Sequence, residues 1–190
     1  MTKKNLNNDL FDNNFKEVLI SDIFIFPSIK GLTARFIQEN LGNIPVYGGR
    51  KEETPIGFIE DNLKGVKYFE NCLGWNREGS VGYVFWHKQK FTTNDHHRPL
   101  IVKPEISPII DLNYMKHEIQ EVLLKQGFRW SKTASKEKVE KISIKVPILP
   151  NGNYDLAAQK EISKKHQVIE QVKQELEEKL NDLLKVNIDF

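Results

Sequence analysis

Few residues of this chain are arranged to make or break bonds. The five histidines, His87, His96, His97, His117 and His166, contain no helical H-E-x-x-H pair. His96 and His97 are adjacent, so on a strand they point to opposite faces and do not begin a shared metal site. The single cysteine, Cys72, excludes an intrachain disulfide and a multi-cysteine zinc site. A cysteine of this kind is more often a small core residue than a nucleophile. No G-x-x-x-x-G-K-[ST] or G-x-G-x-x-G loop is present to cradle a nucleotide phosphate. Gly79-Ser80-Val81-Gly82 lacks the spacing of a G-x-S-x-G nucleophile elbow. Glu177-Glu178-Lys179 has the E-x-K order of metal-dependent nucleases, but it lies inside a charged helical segment that already explains it. The N-P-P-[FYW] signature of an amino-methyltransferase is absent.

Binding chemistry is better represented. Arg77-Glu78-Gly79-Ser80-Val81-Gly82-Tyr83 places a base, a hydroxyl and two glycines at a turn before an aromatic run. Glycines let backbone N–H groups approach a phosphate, and arginine is the side chain best suited to a guanine edge. The same spacing also fits a plain glycine hairpin. Net charge is +2 over 190 residues, so bulk charge does not announce a nucleic-acid partner. Its distribution is more telling. Residues 151–190 hold 6 basic and 8 acidic residues, a net of −2, and the rest of the chain 22 and 18, a net of +4. From Lys125 to Lys145 seven bases face two acids, a net of +5. Such a stretch makes a phosphate-attracting surface, or simply a solvated lysine-rich one. With a single cysteine, a cytosolic, reducing location is the simple reading. No apolar run nears the ~20 residues of a bilayer span, Ile23 to Phe26 stops at Pro27, and the first ten residues carry no apolar secretory core.

Position must come from the elements around these residues. Residues 1–14 read as a loose polar lead-in. Residues 15–150 form the first body of the chain. Short apolar runs at Ile44–Tyr47, Ile56–Ile59, Val66–Phe69 and Val81–Trp86, with a further start at Phe91, are separated by Gly, Pro and Asn and predict strands. A helix is predicted at Thr33–Asn40, with Ala34, Ile37 and Leu41 on one face. Leu112, Met115, Ile119, Val122 and Leu123 form a helical stripe within Ile109–Gly127, where Gly127 is the stop. Ile142, Ile144 and Val146 alternate as a closing strand ended by Pro147 and Pro150.

Residues 151–190 are different. Asp155 is the predicted N-cap of a helix that runs to about Lys185 without Pro or Gly. Ile162, Ile169, Val172, Leu176, Leu180 and Leu183 step by 7, 3, 4, 4 and 3 residues, one apolar stripe. A helix of about 30 residues spans roughly 45 Å, longer than one small domain covers. Either the whole stripe lies on its own domain, or part of it meets another helix.

The order of these features resembles the specificity (S) subunits of type I restriction-modification systems. The series is Ile44-Pro45-Val46-Tyr47-Gly48-Gly49, Ile56-Gly57-Phe58, Arg77 to Gly82, Phe91-Thr92-Thr93-Asn94-Asp95, a helix, and Ser135 to Val139 leading to Ile144-Lys145-Val146-Pro147. Tyr154-Asp155-Leu156-Ala157-Ala158-Gln159-Lys160-Glu161-Ile162 then opens the long helix. Thr92-Thr93-Asn94-Asp95 departs from the family's usual Thr-Asp pair. The resemblance covers residues 16–185 and implies an α+β chain: a mixed α/β target recognition domain followed by a long coiled-coil helix. It resembles a half-subunit, or a single-domain fragment, since the full-length form carries two such units with their helices packed antiparallel.

The resemblance implies a non-catalytic DNA-binding subunit that directs methyltransferase (modification) and restriction/translocase subunits to a bipartite site on double-stranded DNA. S-adenosylmethionine, ATP and magnesium would be used by those partners and none held by this chain. The recognition module of a fused type II restriction-methylation enzyme and a coiled-coil protein-binding adaptor are the alternatives. Residue chemistry gives Arg77, Ser80, Trp86, His87, Arg98 and Arg129 as candidate base contacts, and Lys132, Lys136 and Lys138 as candidate phosphate contacts. The stripe from Ile162 to Leu183 is the candidate seam of a homodimer.

Overall fold

The structure, a computed structural model, describes residues 14–129 and 131–185. Of the expected lead-in, residues 1–13 lie outside these, and Asn14 opens the first strand. In chain order the elements are β1 (Asn14–Leu19), α1 (Ile20–Ile23), β2 (Phe24–Ile25), α2 (Ala34–Glu39), β3 (Leu41–Tyr47), β4 (Gly57–Ile59), β5 (Cys72–Asn76), β6 (Val84–His87), β7 (Thr92–Thr93), β8 (His97–Val102), α3 (Leu112–Lys125), α4 (Lys136–Val139), β9 (Ser143–Ile148) and α5 (Leu156–Lys185). This is a mixed α+β domain followed by a long C-terminal helix.

The central sheet is antiparallel throughout, in the order β2-β8-β5-β6. Its middle strand, Cys72-Leu73-Gly74-Trp75-Asn76, is buried at every residue. On one face Leu73 and Trp75 join Val84, Leu100 and the α3 residues Met115, Ile119 and Leu123 in the main core. On the other face Cys72, Gly74 and Asn76 carry polar neighbours described below. β5 and β8 have no counterpart among the strands predicted from sequence. A strand buried on both sides shows no alternation, and Gly74 and Asn76 read as turn residues. In β8 the obstacle is Pro99, tolerated because it lies where β8 pairs β5 alone, before the β2 contact begins at Ile101.

A second sheet, β4-β3-β7, pairs β3 with β7 in parallel. The run Val66–Phe69 forms no strand; Phe69 makes only an isolated bridge to Phe91. Strand β6 begins at Val84, because Val81 to Tyr83 belong to the preceding turn. Helix α2 is capped by Thr33, whose Oγ1 accepts from the Phe36 N–H at 3.2 Å. It ends at Glu39, so Leu41 is not on its face: it stands in β3 and is 70% exposed.

The alternating closing strand is present as β9, with Ile144 and Val146 inward. It pairs β1 over its whole length, from Asn14 opposite Ile148 to Leu19 opposite Ser143. Helix α3 is capped by Asp111 Oδ1, which accepts from the Tyr114 N–H at 2.8 Å, and it stops before Gly127, at φ +63°. Helix α5 is capped as expected, Asp155 Oδ1 accepting from the Ala158 N–H at 2.9 Å. Its first turns dock on the domain. Ala158, Gln159, Ile162 and Ser163 are buried, and the Gln159 amide accepts from the Asp111 N–H at 2.9 Å and donates to the Ile109 carbonyl at 3.1 Å. From Gln167 to Leu184 every residue is exposed.

Candidate nucleic-acid interface

The turn from Arg77 to Tyr83 joins β5 to β6 and is fixed from several directions. The Asn76 N–H donates to the Tyr83 carbonyl at 2.9 Å, and the Gly82 N–H to the Asn76 carbonyl at 3.0 Å. The Arg77 N–H donates to His96 on the β8 side at 2.8 Å, and the Arg77 carbonyl accepts from Ala134 at 3.2 Å. Gly79 has φ +78°, and a Cβ there would lie 2.3 Å from the Gly49 carbonyl oxygen. Any larger residue would therefore both strain the turn and push away the segment behind it.

These bonds bring distant cations together. Arg77, Arg98 and Lys136 line one cleft of about 230 Å³ with Phe26, Trp75 and Ser135. The Trp75 indole N–H donates to the Ala134 carbonyl at 2.9 Å, and Phe26 meets the Trp75 ring edge-on at 5.6 Å. Arg98 has Asp95 at 3.4 Å. Its burial, and then the charge of Arg77, make the cationic form less favourable than usual, which is the mark of two guanidiniums sharing a small space. Arg77 is paired with Glu78, whose other oxygen lies 2.9 Å from His96 Nδ1. That guanidinium holds the Glu78 carboxyl below the ordinary carboxylate range. Among the described residues Arg77 Nε is buried with no hydrogen-bond partner. Glu137 also lines the cleft, so that with Glu78 and Asp95 the carboxylates match the three cations, and the unpartnered Arg77 Nε is the donor left over for an anion.

The adjoining segment supplies a basic surface. Arg129 and Lys132 face each other in a bridged turn. The ammonium groups of Lys132 and Lys138 stand 5.5 and 6.0 Å from the centre of the Phe128 ring and donate to the Gln126 and Thr133 carbonyls, each at 3.0 Å. Each ammonium keeps further donors for an incoming phosphate.

The remaining sequence candidates separate. Ser80 sits half-buried in the turn, its N–H donating to the Gly49 carbonyl at 2.9 Å. Trp86 and His87 stand at the opposite end of the β5–β6 ladder, facing Leu73 and Cys72, outside the Arg77 cleft. The Trp86 indole N–H is engaged by Asn71 Oδ1 at 3.0 Å, and Lys88 lies over its ring at 4.7 Å. His87 is 3% exposed, stacked on Tyr47 with ring centres 4.0 Å apart. As a base contact it is corrected: it is a core residue, because β3 covers that face of the sheet. Cys72 is buried too, and burial pushes its thiol up to about 12, which disfavours the thiolate. The long stripe is likewise divided. Ile162 is 7% exposed and joins the domain's own core, whereas Ile169, Val172, Leu176, Leu180 and Leu183 are exposed. Sequence reasoning passed over the loop after Gly48-Gly49, where Arg50 and Lys51 flank the turn. Its signal was two adjacent bases following a glycine pair.

A mixed α+β domain that gathers arginines and lysines into one surface and ends in a half-exposed helix offers a surface suited to binding an anionic partner. Residues 12–186 match the type I restriction modification DNA specificity domain, and the chain belongs to that family. Three solved structures share the fold. The type I restriction-modification S subunit from M. genitalium is 18% identical, with a TM-score of 0.61 over 90% of this chain and 42% of its own. The HsdS subunit from Thermoanaerobacter tengcongensis is 13% identical, with a TM-score of 0.63 over 92% and 42%. A chain from a structure of complex assembly and conformational transition of the type I R-M system is 12% identical, with a TM-score of 0.61 over 95% and 46%. The chain thus spans less than half the length of each. No curated protein matches it in sequence. Among the described residues no helix is long and apolar enough to cross a membrane.

Proposed function

We propose that the chain is a cytoplasmic DNA-recognition subunit without catalysis of its own. It binds a short sequence in double-stranded DNA and directs methyltransferase subunits, and a restriction/translocase subunit, to that site. It holds no cofactor itself; S-adenosylmethionine, ATP and magnesium serve the partners. The observation that carries this reading is the cleft in which Arg77, Arg98 and Lys136 converge beside the Lys132–Lys138 surface, on a specificity-domain fold. Two copies pair through the exposed part of α5, so that each reads the same half-site in opposite orientation. The helix length of roughly 45 Å corresponds to about 13 base pairs at ~3.4 Å per step, which bounds the spacing of the half-sites.

Binding to a pool of randomised duplexes at several salt concentrations tests the reading. Replacing Lys132, Lys136 and Lys138 with Ala weakens binding on all sequences alike and reduces the log–log salt slope by up to ~0.9 per lost phosphate contact. Arg77→Ala instead lowers discrimination by about 1–3 kcal/mol if the guanidinium grips a guanine edge. An unchanged slope in the triple variant removes those lysines from the interface. Methyl transfer to DNA by the isolated chain would overturn the non-catalytic assignment.

A further inference from the structure

The loop from Gly49 to Thr54 is exposed, yet it is tied down more firmly than its position requires. The Gly49 carbonyl accepts from Ser80 in the Arg77 turn at 2.9 Å, and the Arg50 carbonyl accepts from the Asn76 side-chain N–H at 2.6 Å. The Thr54 N–H donates to the Glu52 carbonyl at 2.7 Å, and the Arg50 guanidinium to the Pro55 carbonyl at 3.0 Å. Behind the loop, a chain of polar side chains crosses the sheet face opposite α3. Because Asn76 donates through Nδ2, its Oδ1 must accept, and it does so from His97 Nδ1 at 2.8 Å. His97 is fully buried, which favours its neutral form. Its Nε2 therefore accepts from the Nε2–H of His87 at 2.9 Å. The far nitrogen of His87, Nδ1, then lies 3.0 Å from Glu53 Oε1 without completing a hydrogen bond. The hydrogen-bonded chain thus begins at the Arg50 carbonyl and ends at His87, whose ring lies beside Glu53, and only Lys51 and Glu52 lie between Arg50 and Glu53. The imidazoles meet over Gly74, where a Cβ would come within 2.1 Å of His97 Nε2.

The satisfied links of such a buried polar chain, from the Arg50 carbonyl through Asn76 and His97 to His87, specify one arrangement of the groups they join. The loop it holds carries Arg50 and Lys51 against Glu52 and Glu53, so it adds no net attraction for phosphate. A rigid tip whose charges cancel, beside a basic surface, is suited to reading base edges rather than to adding affinity. Lysine donates to guanine O6 and N7, and glutamate accepts from the cytosine amino group. Lys51 is already aligned with the turn, its ammonium 6.0 Å over the Tyr83 ring.

We propose that Lys51 and Glu52 read a G·C base pair in the major groove and that Asn76, His97 and His87 are positioning residues for that tip. The proposal rests on the DNA-recognition reading above. In selection from randomised duplexes, the unaltered chain should enrich a site containing a G·C pair that Lys51→Ala and Glu52→Ala variants no longer prefer. Discrimination at that pair should fall roughly tenfold, at unchanged thermal stability. Lys51→Arg should restore most of it. The positioning role has its own signature: nitrogen-15 spectra of the imidazoles should show a proton on Nδ1 of His97 and on Nε2 of His87. The same enriched site and the same discrimination in both alanine variants would overturn the assignment of the tip. The opposite His97 tautomer would overturn the positioning chain. If the unaltered chain enriches no sequence, the recognition reading itself falls.

Discussion

Ile162 and Ile169 stand two turns apart on the same face of the same helix, in the same kind of sequence, and meet opposite surroundings. Ile162 is 7% exposed, enclosed by the domain; Ile169 is 51% exposed, and Leu176 beyond it 61%. The docked part of α5 is anchored by polar contacts as well. Gln159 completes the N-terminus of α3, and the His166 ring stacks on His117 with centres 4.9 Å apart. An apolar stripe records which face of a helix must be covered, and the length of the neighbouring domain decides where its own coverage ends. Past that point the stripe is an exposed apolar row of the kind that marks an interaction surface.

The largest expected effect separates the two regions directly. Ile162→Asp places an unpaired charge in the core and should destabilise the fold by roughly 4 kcal/mol or more, read by chemical denaturation. Ile169→Asp should change monomer stability by less than about 0.5 kcal/mol. Comparable losses from both would show that the outer stripe is also covered by the chain's own domain. Next in size is the effect on association. A double change of Ile169 and Leu176 to Asp should convert dimers into monomers at tens of micromolar in sedimentation, since burying those charges costs several kcal/mol. A monomer in the unaltered chain under the same conditions would end the pairing through α5.

Gln159→Ala sharpens the comparison from the polar side. It leaves the Asp111 N–H and the Ile109 carbonyl without their partner, at a cost of about 1–3 kcal/mol. Hydrogen exchange should then quicken at the start of α3 and not beyond His166. The smallest effect is one of pH. Burial lowers the affinity of His117 for a proton below the ordinary histidine value, more than the nearby Glu170 raises it, and burial lowers that of His97 further. The unfolded chain therefore binds more protons than the folded one once pH falls below the ordinary value near 6.5. Stability should be greatest near pH 7.5, decline on acidification below ~6.5, and decline again above about pH 8.5, where the unfolded chain loses the Cys72 and tyrosine protons that burial retains in the folded one. His117→Phe should make the acid decline shallower, while an acid decline of equal slope would assign the whole effect to His97.

Much of the fold was legible because burial on one side leaves a period in the sequence. The stripes of α3 and α5, the alternation of β9 and the cap at Asp155 are local features, and local chemistry suffices to form them. The basic run from Lys125 to Lys145 and the glycine turn after Arg77 were legible for the same reason. What the tertiary structure alone decided depends on long-range pairing. β5 is buried on both faces and so has no period, and β8 carries a proline that only its one-sided pairing permits. Arg77, Arg98 and Lys136 share a cleft because β5 pairs β8 and Ala134 bonds Arg77, contacts that no spacing announces. His87 looked like a surface base reader beside Trp86 until β3 was laid across it. The sequence by itself determined which segments are amphipathic and where charge collects; the packing of one sheet against another determined which of those side chains meet solvent, and therefore which can meet DNA.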